Sequence, residues 1–136
     1  MPDADLIIPD VYDADVLFAV RWLQEHLPFS DGDLAQLIGV STELFGEWKT
    51  GAQSLSDSQI ETLDDLSIAI KRLLSFYGFR RDLMVTVLEF RSESPIQRSR
   101  FTPPWLGTSL KDYVLSHGAK GIADVDDWIQ TIRSAS

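Results

Sequence analysis

Apolar residues recur at three- and four-residue intervals along most of this chain, and that period predicts helices. From about Asp13 to His26, the positions Val16, Leu17, Val20, Leu23 and Leu27 mark one helical face, which Pro28 ends by blocking continuation. Two short runs follow, one with Leu34, Leu37 and Val40, the next with Leu44, Phe45 and Trp48. A longer run carries Ile60, Leu63, Leu66, Ile70, Leu73, Leu74 and Tyr77, with Gly78 placed to end it. Over about 80–91 a further helix is expected to bury Leu83, Met84, Val87 and Leu88. Its VTVLEF portion also suits a strand, being rich in β-branched and aromatic residues. Leu83, Val87 and Phe90 nevertheless keep the helical period. Residues 92–108 hold three prolines and no sustained period, which reads as a loop. A short helix from Ser109 through Leu110, Tyr113 and Val114 stops at His117-Gly118, and Asp124 is placed to cap a last helix with Val125, Trp128, Ile129 and Ile132. The expected fold class is all-α, with about seven helices.

The polar residues between these runs punctuate them. Ser30 with Asp33 has the spacing of a capping box, with Asp in place of Glu, and Ser56 with Gln59 is a full one. Within DGDLAQLIGVSTELFGEWKT, residues 31–50, Ala35 is small enough for two helices to cross closely. Gly39 tolerates the positive φ of a tight turn, and Ser41 or Thr42 can cap the helix that follows. Small residue, glycine, cap and apolar spacing together read as a helix-turn-helix. Four stretches result: a loose acidic arm over 1–12, a helical domain containing the motif over 13–91, the Pro/Ser/Arg-rich loop 92–108, and a helical C-terminal appendage over 109–136.

Charge changes this picture. The chain of 136 residues is net −9, but residues 1–70 hold two basic groups (Arg21, Lys49) against fourteen acidic ones, a net −12. Residues 71–100 are net +4 and 101–136 net −1. DNA affinity rests on neutralising phosphates, so the motif lies where the charge is least suited to DNA. Its outward positions in a working reader helix are Ser41, Thr42, Glu43, Gly46 and Glu47, with Lys49 and Gln53 able to reach backbone phosphates. Arg80, Arg81, Arg98 and Arg100 form the one stretch suited to a polyanion, either as a DNA-contacting arm or as ordinary surface paired with the acidic half.

Other chemistry is sparse. With no cysteine, disulfides and thiolate metal sites are excluded. His26 and His117 both stand at expected helix ends, where a cationic cap explains them. Asp124, Asp126 and Asp127 lack the glycine and terminal Glu of a calcium loop. No metal, cofactor or enzymatic activity is expected. No apolar run approaches the roughly 20 residues of a membrane span, and the acidic start lacks the basic opening of a signal peptide, so the cytoplasm is the expected compartment. Trp105 stands apart, in a Pro-rich loop outside any periodic face: it is either a plug on the long helices or an anchor for a partner.

The order of segments resembles the Xre/MbcA/ParS-type helix-turn-helix antitoxins that pair with RES-domain toxins. The likeness is carried by DLAQLIGVSTELFGEWKTG, by LSDSQIETLDDL leading into FYG, and by PPWLGTSLKDYVLSHG followed by VDDWIQTI, spanning about residues 31 to 133. The last portion looks like that family's toxin-binding segment, in which a Pro and a Leu-Gly step precede a capped helix, a glycine and a final amphipathic helix. Where the family usually carries a Trp-Leu pair after the Phe-Gly step, this chain reads VLEF. The resemblance implies a protein partner, such as a RES-domain toxin, bound through Trp105, Leu106, Lys111, Tyr113, His117, Trp128 and Ile132. It also implies operator DNA bound by a homodimer or by the complex. A stand-alone transcriptional regulator and an acidic adaptor without a DNA role are the alternatives.

Overall fold

The structure is a computed structural model that describes residues 4–135, with side chains described over 15–134. Among the described residues it consists of seven helices and no strand: α1 Ala4–His26, α2 Asp31–Ile38, α3 Thr42–Lys49, α4 Asp57–Phe76, α5 Arg81–Glu89, α6 Leu110–His117 and α7 Ala119–Ala135. The all-α fold is therefore observed, and VTVLEF belongs to a helix and its C-terminal cap.

Local chemistry explains most of the boundaries. Ser30 and Asp33 bond reciprocally, the Ser30 hydroxyl accepting from the Asp33 N–H and the Asp33 carboxylate from the Ser30 N–H, each at 3.0 Å. Ser56 and Gln59 do the same at the start of α4. Gly39 sits at φ 76°, the left-handed turn that α2 and α3 require.

Two boundaries differ from the sequence reading. α1 reaches back past Pro9 to Ala4, so a helix replaces the loose arm over residues 4–12. Met1, Pro2 and Asp3 lie outside the described residues. α7 begins at Ala119 rather than at a cap on Asp124, with Gly118 alone separating it from α6. Ile122 extends the apolar stripe of Val125 and Ile129 by one turn, and Gly121 lets the two helices approach closely: a Cβ there would lie 2.8 Å from that of His117.

α4 is the spine, touching α1, α2, α5 and α7, while α6 packs on α2, α5 and α7. One continuous core runs from Val16 to Ile129 and includes Ala35, Phe45 and Trp48 of the motif together with Trp105, Leu110 and Trp128. The C-terminal helices over 109–136 therefore share one core with the helix-turn-helix half. α4 alone offers Leu63, Leu66, Ile70 and Leu73 for burial, more than α1 and α5 can cover without α7. α5 buries Met84 and Leu88, but Leu83 is exposed and Val87 half-buried, against the expectation that all four lie inside.

Candidate functional site

Two short helices, α2 and α3, joined through Gly39 at positive φ, occupy the stretch read as a helix-turn-helix. Ala35 is buried where α2 meets α3, and Leu34, Leu37, Phe45 and Trp48 form the inner face. The Ser41 hydroxyl is already engaged as the α3 cap, accepting from the Leu44 N–H at 3.0 Å. Thr42, Glu43 and Glu47 are exposed, Gly46 is half-buried, and Gln53 is exposed on the turn after α3.

Both cations of the acidic half are used inside the motif. Lys49 Nζ lies 2.8 Å from Asp31 Oδ1 and donates to Gln24 Oε1 at 2.7 Å, which ties the end of α3 to α1 and to the start of α2. The hydrogen bond from Lys49, then that from Gln24, holds the Asp31 carboxyl below the usual carboxylate range. Arg21 donates to the Lys49 carbonyl at 3.0 Å, where a cation also suits the negative end of the helix. The outward side of α3 is thus left with two glutamates and no basic residue of its own free of such a partner.

The arginines expected to form a phosphate-binding arm sit on other elements. Arg80 pairs with Asp82 at 2.6 Å, Arg81 lies 3.2 Å from His26 Nδ1, Arg98 donates to the Leu106 carbonyl at 3.0 Å, and Arg100 stacks over the Phe101 ring. α5 packs mainly on α4 and α6, whereas α3 packs mainly on α2. Arg80 and Arg81 therefore stand at the start of a helix that packs chiefly on elements other than α3.

The C-terminal candidates separate into buried and bonded residues. Trp105 is 6 % exposed and meets Trp128 edge to face at 5.1 Å, and Trp128 in turn meets Phe76 at 5.7 Å. The Trp128 Nε1 donates to the Phe101 carbonyl at 3.0 Å, satisfying a buried donor. Of the two readings of Trp105, the structure selects the plug. Lys111 Nζ reaches Asp33 at 2.8 Å, so α6 is fastened to the first helix of the motif. Tyr113 donates to Asp124 at 2.7 Å and stacks on His117 at 4.2 Å; burial first, and the Asp124 carboxylate next, push its phenol up to about 12. Leu106 and Ile132 are half-buried, and His117 is exposed with Nδ1 2.9 Å from the Tyr113 carbonyl.

What sequence reasoning missed is a set of exposed apolar residues: Phe18, Phe79, Leu83, Phe90, Ile96 and Phe101. A signal was present in α5, whose Leu83, Met84, Val87, Leu88 and Phe90 occupy more than one side of a helix. Phe79 adds a backbone signal, with φ 61° at a bulky residue next to Gly78.

Among the described residues there is no acidic, histidine or cysteine cluster suited to a metal, and no helix long and apolar enough to cross a membrane. Comparison with protein-family models, with curated proteins and with solved structures finds no match to this chain. The antitoxin resemblance therefore rests on the segments quoted above.

Proposed function

We propose that this chain is an antitoxin-like helix-turn-helix protein whose main act is to bind and neutralise a protein partner in the cytoplasm, without catalysis. Operator contact is confined to a dimer or to the partner complex. The observation that carries this reading is the internal use of Lys49 and Arg21 while Glu43 and Glu47 face outward. A reader helix so charged is repelled by phosphates unless another chain supplies cations. The exposure of Phe79, Phe90 and Ile96 supports a protein partner, since large apolar side chains left in solvent are material for an interaction surface. Because Trp105 and Trp128 are committed to the core, the partner surface lies around α5 and the 92–108 loop rather than on these two rings.

Co-expression with the product of a neighbouring reading frame tests the proposal. Growth inhibition by that product should be relieved by this chain, and the two should co-purify. An acidic adaptor is the second reading, favoured by the same Lys49 geometry; it is selected if the complex also leaves operator DNA unbound. Tight, sequence-specific duplex binding by the isolated chain at physiological salt would overturn both and establish the stand-alone regulator.

A further inference from the structure

The chain that follows α5 forms a strap fastened at both ends. At one end the Ser92 N–H donates to the Thr108 carbonyl at 3.4 Å, and the Ser92 hydroxyl accepts from the Gly107 N–H at 3.3 Å. At the other end the Arg98 guanidinium donates to the Leu106 carbonyl at 3.0 Å. Between these anchors, Glu93, Ser94, Pro95, Ile96 and Gln97 make no hydrogen bond and no ion pair among the described residues. Ser94 rests on Gly107, where φ is 102° and a Cβ would lie 2.6 Å from the Ser94 hydroxyl oxygen. Beyond it the strap bends, and at that bend Ile96 is fully exposed.

The anchors belong to the wall of a groove. It has a volume of about 190 Å³ and is lined chiefly by Tyr77, Val87, Phe90, Trp105 and Leu106, with Ser92 among them. That is smaller than the roughly 300–1,000 Å³ of ligand pockets and suits a single side chain. Trp105 is held edge to face by Trp128 at 5.1 Å, so one wall is set before anything enters. Ile96 is four residues from Ser92, a span of at most about 14 Å, and can reach the groove with both anchors intact. Burial of apolar surface favours that movement, and residues 93–97 have no bond to break. Because the ends of the strap are already joined, closure adds little loop entropy. The occupant needs no charge, which suits an isoleucine.

We propose that residues 93–97 are a lid that closes over this groove with Ile96 as its plug, so that the chain occupies the groove itself until another apolar group displaces Ile96. Closure is a property of the isolated chain and goes beyond the partner reading without depending on it.

Methyl NMR on the full chain tests the lid. The Ile96 δ1 methyl, identified by its loss in Ile96→Leu, should be shifted upfield by the aromatic rings and should show cross-relaxation with ring protons of Phe90 or Trp105. Ile96→Ser should lower the melting temperature by about 3 °C or more, whereas Gln97→Ser should leave it unchanged. Ile96→Ser should also raise the fluorescence of anilinonaphthalene sulfonate about twofold or more, because the dye gains an uncovered apolar groove. An Ile96 methyl at the position of an exposed isoleucine, without ring contacts, overturns the lid. So does an Ile96→Ser variant that melts like the parent. Ring contacts that vanish on dilution would place Ile96 in the groove of a second copy and overturn closure within one chain. None of these measurements uses a partner, so failed co-expression would sink the antitoxin reading and leave the lid standing, and loss of the lid would leave that reading untouched.

Discussion

Trp105→Ala separates a structural tryptophan from one that waits for a partner. The ring is 6 % exposed, belongs to the continuous core and meets Trp128 edge to face at 5.1 Å. Truncating a buried aromatic side chain to Ala costs about 3–5 kcal/mol, the transfer term plus the cavity left behind. The lost edge-to-face contact supplies about 0.5–1.5 kcal/mol of that. Domains of this kind are stable by about 5–15 kcal/mol, so the loss is a large part of the margin. At this size it corresponds to a fall in melting temperature on the order of 10–20 °C. Circular dichroism melts and urea titration of the full chain read both quantities. Trp105→Phe keeps a ring against Trp128 and should recover part of the loss. A surface residue reserved for a partner would change stability by no more than about 0.5 kcal/mol. A melting point within about 2 °C of the parent would refute the packing argument and return Trp105 to the candidate partner contacts.

Removing residues 102–136 should unfold the remainder, because α7 covers α4 and α6 covers α2; a cooperative melt of residues 1–101 would show that the core divides after all. Ala35→Glu should destabilise by about 3 kcal/mol or more, since it forces a carboxylate into the buried α2–α3 crossing, and an unchanged urea midpoint would contradict that placement. Lys49→Ala should cost about 1 kcal/mol, kept small by solvent screening of a partly exposed pair, and should leave duplex affinity unchanged; a clear loss of DNA binding would show that Lys49 faces phosphate. Asp65 gives a pH test: burial first, then repulsion from Glu61, Asp64 and Asp126, raises its carboxyl above the ordinary 3.8. A raised acid penalises the folded state only where it is ionised, so Asp65→Asn should raise the melting temperature at pH 7 and lose that advantage as pH falls through the raised value towards 3.8. An equal gain at pH 7 and pH 3 would rule out ionisation as the cause.

What the sequence determined by itself was local. The helical period of apolar residues places the elements, Ser30 with Asp33 and Ser56 with Gln59 start two of them, and Gly39 at φ 76° turns the motif, because caps and turns are satisfied within a few residues of chain. The tertiary structure decided everything that depends on which faces meet. Asp124 has the composition of a helix cap, yet it lies inside α7 and accepts from Tyr113, eleven residues away on α6. Lys49 looks available for phosphate in sequence, and only the return of α1 past α3 brings Gln24 to it, alongside Asp31, and uses its charge. Trp105 has no periodic neighbours to place it, and its burial follows from Trp128 of α7, which in turn meets Phe76 at the end of α4. For the same reason the exposed stripe of α5 could not be told from its buried one: both sides are apolar, and only the packing of α4 and α6 selects Met84 and Leu88 and leaves Leu83 and Phe90 at the surface.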